Sequence, residues 1–320
     1  MRKSSFAAAA GLLCALLAAA PALGKEKRSP KKVVAVSNFQ LTAQDYTEGG
    51  GWWSKGQVGH GMRSMLVEAL VKTGKFIVVE RGEGLQEIKA EQALKTSGES
   101  RGGGAESKQL MAAQALFRGE ITDFTPGQQG AKVSAGGIKL GGLTLGDVGV
   151  GLKNASIASI VRWFDTTSGE VIDSFQSEAK ATSVGFDVHA YTGIQMGTEA
   201  YTKTPIGRAT NEVIQDTVEK IVKAMEKVPF QCKIVKGTTQ EVYLNVGSDS
   251  GLEMGDRYEV YSVGEAIVDP DTGAKLGASK DKIGTVRVAK IQPKFSVARF
   301  EAAPSGAPKQ GDVAQEAGSE

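Results

Sequence analysis

Two histidines and two cysteines are the chain's whole supply of the commonest nucleophilic and metal-binding side chains. His60 falls on the polar side of a helical stretch, and His189 falls among alternating polar positions. Neither has a cysteine or a carboxylate pair at ligand spacing, so no metal site and no histidine-based triad is expected. Cys14 lies in an apolar leader, which leaves Cys232 as a lone thiol, read as a buried small hydrophobe. Glycines 141, 142, 146, 149 and 151 suggest a phosphate-binding loop, but no Gly-Lys-Ser/Thr follows and no helix starts there. Asp269-x-Asp271-x-Gly273 begins like a calcium loop, yet its twelfth position is Lys280 where a glutamate is needed. These residue types point to no enzyme, no metal and no cofactor.

The pattern that remains is one of surfaces. Between Ser183 and Tyr201, Val184, Phe186, Val188, Ile194 and Met196 are apolar, while Asp187, His189, Gln195 and Glu199 are polar. A strand with that alternation has one apolar and one wet face. The chain's start says where such a strand would be used. Arg2 and Lys3, then the apolar run Phe6–Ala20, then small residues to Gly24 form a secretory leader, so residues 1–24 are set aside from the fold. Cys14 follows Gly11-Leu12-Leu13, which lacks the small residue that lipidation requires just before the cysteine. No later stretch is apolar enough to span a bilayer as a helix, so a membrane crossing would have to be made by strands. The net charge of +2, with both signs mixed along the chain, makes no demand for nucleic acid.

Ordinary elements must position these strands. Val33–Phe39 and Phe76–Val79 read as short buried strands. Helical spacing appears over Val58–Leu70, Leu85–Leu94 and Ile206–Met225, the last with Thr204 as N-cap and Pro205 at the first helical position. Leu110–Ala113 suggests one more helical turn before a strand at Ala115–Phe124. Two segments exceed what this α/β layer needs. Gly127–Gly151, with nine glycines, leads into a strand at Ala155–Phe164, and residues 179–201 hold the alternation. Each reads either as an extended hairpin growing from the common sheet, or as a Gly-rich loop and a plain surface hairpin. One hairpin in hydrocarbon would leave its edge amides unpaired, so the membrane reading requires a cyclic homo-oligomer. In that reading Val184, Phe186, Val188, Ile194 and Met196 face lipid, and Asp187, His189, Gln195 and Glu199 face water. After Pro229, short strands at Val242–Val246, Arg257–Val263, Gly284–Ile291 and Phe295–Arg299 predict a small all-β module.

Six stretches carry a family resemblance. Val33-Val-Ala-Val-Ser-Asn-Phe39, Met65-Leu-Val-Glu-Ala-Leu70, Phe76-Ile-Val-Val-Glu-Arg81, Phe117-Arg-Gly-Glu-Ile-Thr-Asp-Phe124, Val161-Arg-Trp-Phe-Asp-Thr-Thr-Ser-Gly-Glu-Val171 and Pro205-Ile-Gly-Arg-Ala209 occur in one order. Over about residues 32–227 that ordered set resembles the curli-secretion channel (CsgG) family. The resemblance implies an outer-membrane ring to which each subunit gives two hairpins, a periplasmic α/β domain beneath it, and a constricting loop after the first strand. The stretch Gln40–Gln57 offers Tyr46, Trp52 and Trp53 for that constriction, although it does not match the family's loop residue by residue. The absent lipidation signal and the added C-terminal module are departures from the family pattern.

The expected fold is therefore α+β. A three-layer-like α/β periplasmic domain spans residues 25–228, with hairpins at about 127–160 and 178–201 forming an oligomeric transmembrane β-barrel. A small β-barrel-like module follows at 229–301, then a disordered tail at 302–320. The expected function is a passive outer-membrane pore for secretion of protein, such as curli-like or other envelope polymer subunits. Its partners are copies of itself, the secreted polypeptide and outer-membrane lipid, with no nucleic acid. The alternative is a soluble periplasmic accessory or scaffold protein built on the same α/β domain.

Overall fold

The β-branched run near the start forms β1 (Lys32–Val36), whose Val34, Ala35 and Val36 are fully buried. In the computed structural model, the described residues are 29–43, 53–98, 110–134, 139–140, 143–144, 149–166, 168–184, 194–271, 273 and 275–317. After β1 come β2 (Gln40–Leu41), α1 (Lys55–Lys72), β3 (Phe76–Val79), α2 (Gly84–Ser97) and β4 (Ala115–Ser134). Next are β5 (Lys139–Leu140), β6 (Leu143–Thr144), β7 (Gly149–Asp165), β8 (Val171–Val184), α3 (Glu199–Thr202) and α4 (Pro205–Glu226). The sheet runs β3-β1-β4-β7-β8, with β2 also on β4. Its β3, β1 and β4 are parallel; β4, β7 and β8 are antiparallel.

Local chemistry starts and stops the helices. Ser54 and Gln57 form a reciprocal capping box on α1, and Thr204 caps α4 with Pro205 at its first position. Gly98, at φ +80°, closes α2 in the left-handed conformation that glycine adopts without steric penalty. The apolar stripe of α4 (Ile206, Val213, Ile214, Ile221, Met225) is buried against the sheet, and α1 packs on α4. Both long helices lie on one sheet face, where Thr217 Oγ1 reaches Ser177 Oγ at 3.0 Å. The other face carries the Arg162–Glu120 ion pair at 2.7 Å. Among the described residues α1 and α4 form one layer on the sheet. Two expectations differ. Residues 110–113 are irregular rather than helical, and α2 buries none of its residues.

A second core lies beyond Pro229. β9 (Gln231–Gly237), β10 (Glu241–Leu244), β11 (Arg257–Val268), β12 (Lys275–Ile291), β13 (Ser296–Phe300) and β14 (Val313–Glu316) close into a barrel ordered β10-β13-β12-β11-β14-β9. Phe230, Ile234, Val242, Leu244, Tyr258, Val260, Val286 and Val288 fill it. Cys232 is among them, and burial pushes its thiol pKa up to about 12, which keeps it protonated and inert. The barrel touches the α/β domain through Lys31 N–H, which donates to Ser250 O at 2.8 Å, and through Ser29 Oγ on Glu316 Oε2 at 2.8 Å.

The tail expected to be disordered from Ala302 is instead structural as far as Ala317, because β14 fills the gap between β11 and β9. Asp312, 3% exposed, accepts from Val263 N–H at 3.0 Å and Lys309 N–H at 2.7 Å. Deleting residues 312–320 is expected to open the barrel, since two strand edges lose their partner at once. Limited proteolysis checks this: the truncated chain is cut rapidly within 230–311, whereas the full chain resists. Equal resistance would show that the barrel closes without β14.

Candidate functional site

Three strands leave the helical layer together. β4 and β7 pair from Ala115↔Asp165 out to Ser134↔Gly149, and β7 and β8 pair from Phe164↔Val171 to Leu152↔Val184. The helix-facing side of this ribbon is buried at Phe117, Ile121, Phe124, Ile157 and Val161. Past Phe124 the strand β4 continues through Thr125–Ser134, about 30 Å at the usual rise, which matches the thickness of a bilayer's hydrocarbon. Shifts of register between Ile121 and Asp123, Thr125 and Gln128, and Gln129 and Lys132 twist the ribbon as it leaves the core. Near this point Asp123 accepts from Ser156 Oγ at 2.5 Å and Thr125 Oγ1 at 2.9 Å, and Thr182 bonds Asn154 across strands at 3.0 Å.

Among the described residues both long edges of the ribbon are without a strand partner. β8 has β7 on one side and no described strand on the other; β4 beyond Ile121 pairs only with β7 among the described strands. The sheet face opposite α1 and α4 carries polar side chains next to it. Arg162 holds the Glu120 carboxyl below its usual pKa, and Arg118 bonds Gln40 at 2.9 Å.

The foot of the ribbon holds an aromatic cluster that sequence reasoning placed elsewhere. Trp53 is 6% exposed, its Nε1 donates to Ile194 O at 2.7 Å, and its ring meets Phe124 and Tyr201 edge-on at 6.0 and 5.6 Å. Expected at a pore constriction, it belongs to the core. The reason is its position just before the cap Ser54, where an apolar side chain folds back on the first helical turn. The Ser54-x-x-Gln57 spacing was the signal that could have located it. Tyr46 and Trp52, the other constriction residues, lie outside the described residues.

The alternation expected through Tyr201 also needs correction. Val184 ends β8, and Phe186, Asp187, Val188 and His189 lie outside the described residues. Ile194 and Met196, expected to face lipid, are half-buried against the α/β core, where Met196 sits on Gly61 so closely that a Cβ there would be 2.5 Å away. Gln195 and Glu199, expected to line water within a strand, are exposed on a turn and at the start of α3, where Glu199 pairs with Lys203 at 2.7 Å. Gly197, at φ +82°, breaks the extended backbone, and Thr198 caps α3. Apolar residues two apart here dock a returning loop.

His60 is exposed on α1, and no cluster able to hold a metal occurs among the described residues.

A family model described as "Curli production assembly/transport component CsgG" matches residues 19–243. No curated protein matches the chain. Among solved structures, the hypothetical protein CT253 of Chlamydia trachomatis is 14% identical, aligned over 60% of this chain and 95% of that one at a TM-score of 0.36. A PelC dodecamer of Paraburkholderia phytofirmans is 10% identical over 59% and 87%, at 0.26. Protein XCC0632 of Xanthomonas campestris is 9% identical over 62% and 88%, at 0.34. Likenesses at this level leave the functional argument to the family match and to the geometry.

Proposed function

The chain belongs to the CsgG family of curli production assembly and transport components, and from that premise we propose that it forms a cyclic homo-oligomer whose pooled ribbons make a passive secretion pore in the outer membrane. The family is one of transport components rather than enzymes, and an envelope role in secretion follows from membership.

The observation that carries the finer reading is the pair of ribbon edges that have no partner among the described residues. In hydrocarbon, unpaired amides on β8 and on the outer part of β4 would each cost several kcal/mol. They are opposite edges of one sheet, so the second hairpin, begun by β8, would pair with β4 of the next protomer. Repeated head to tail, that contact closes a ring with no edge left. The α/β layer stays below as a periplasmic vestibule, with the polar face of Arg118, Glu120 and Arg162 turned to water. Phe186 and Val188 meet lipid, and Asp187 and His189 face the lumen. With Trp53 in the core, the waist falls to Tyr46 and Trp52, whose rings would hold an extended polypeptide without reading its sequence. Transport is by diffusion and by capture of the cargo outside.

Fractionation tests this directly. The chain is expected in the membrane pellet after carbonate and high-salt washes, with annular particles in negative-stain images of the detergent extract. Release as a monomer, with no annular particle, would overturn the pore and assign the chain to soluble periplasmic accessory work.

A further inference from the structure

The outer wall of the C-terminal barrel carries two cross-strand rows that the pore does not use. One reads Lys236–Tyr243–Val297–Lys290 across β9, β10, β13 and β12. The other reads Glu241–Arg299–Arg287–Arg257 across β10, β13, β12 and β11. Directly paired residues share a face. Their sequence neighbours Val242, Ala298, Val286 and Tyr258 are buried inside, so the rows lie on the outer side, where Val297 is covered at 8% exposure and the lysines and arginines stay exposed. The three arginines therefore recur at about the 5 Å spacing of strands.

Beside them stands an aromatic pair. Phe295, 43% exposed, stacks with Tyr243 at 6.4 Å between centroids and 24° between planes, and Lys236 Nζ lies 4.2 Å from the Tyr243 centroid. Carboxylates are present but outnumbered. Glu301 takes Arg257 at 2.5 Å and Arg287 at 2.8 Å, and both arginine side chains remain 55% exposed. The Tyr243 hydroxyl donates to Glu241 at 3.3 Å. Arg299, Lys290 and Lys294 have no carboxylate partner among the described residues.

We propose that this wall binds an anionic polysaccharide of the cell envelope. Flat aromatic faces pack against the apolar C–H faces of sugar rings, and guanidinium forks pair with carboxylates in the bidentate geometry that ammonium groups cannot match. Cations on both sides of the ring pair suit a linear polymer that alternates sugar faces with charges. The choice of a glycan over a nucleic acid rests on the envelope location proposed above. Binding itself requires neither a ring nor a bilayer, so its failure is separable from failure of the pore.

The test titrates the detergent-purified full chain with alginate, a linear polyuronate, beside neutral dextran and single-stranded DNA at physiological salt. Alginate is expected to bind and dextran not to. Arg299→Ala combined with Lys290→Ala is expected to weaken alginate by about tenfold or more, the scale of one lost charge-assisted contact. Phe295→Ala is expected to weaken alginate and leave any DNA binding unchanged, while Lys89→Ala on α2 changes neither. No alginate binding by the parent chain, or undiminished binding by the double variant, would overturn the proposal. DNA binding as tight as that of alginate and equally sensitive to Phe295→Ala would overturn the glycan assignment.

Discussion

Replacing Val188 by Arg is expected to abolish assembly in the membrane. In the proposed pore Val188 faces lipid between Asp187 and His189, which face water. A charge on the lipid side of a barrel costs about 2–4 kcal/mol at mid-bilayer. Every protomer of a ring carries the same change, so the cost accumulates with each copy, and the gain from pairing one more ribbon no longer covers it. Asp187→Asn changes only the wet side and should assemble normally. Oligomer recovered from washed membranes, run on a semi-native gel, separates the cases. Equal assembly of the two variants would overturn the assigned faces.

Trp53→Ala is expected to cost about 3–5 kcal/mol of folding stability, the range for deleting a large buried aromatic. Its indole is buried, hydrogen-bonded to Ile194 O and in edge-on contact with Phe124 and Tyr201. Removing it also frees the chain that returns from the second hairpin. Trp52→Ala should leave stability almost unchanged and raise single-channel conductance, as should Tyr46→Ala. Denaturant midpoints of the purified chains, followed by conductance in planar bilayers, read both effects. A stable Trp53→Ala chain with altered conductance would return Trp53 to the constriction. Unchanged conductance in Trp52→Ala and Tyr46→Ala would remove those two from it.

Where local patterning decides structure, the residues announced it. The α4 stripe, its Thr204-Pro205 start and the four-residue strand β3 follow from spacing, capping and composition, because a helix satisfies its own backbone and a β-branched run favours extended chain. The ordered landmarks from Val33 to Ala209 likewise pointed to the family that the match over residues 19–243 establishes. Other features hang on partners distant in the chain. Val313–Glu316 is four residues in a Pro/Gly/Ala-rich tail, and only the gap between β11 and β9 makes it a strand.

Hydrophobic alternation reports that two residues share a side; it does not report what lies on that side. Val184, Ile194 and Met196 have the same spacing in sequence, yet Val184 ends a ribbon strand, while Gly197 and the Thr198 cap turn Ile194 and Met196 back onto α1 and Trp53. From the chain alone came the element types, the resemblance and the need for strand pairing in any membrane reading. Tertiary structure alone decided which apolar residues are core, that the ribbon extends beyond the helical layer, and that the last strand closes the barrel. Each of those is settled by contacts between segments far apart in sequence, whose free energy no local window contains.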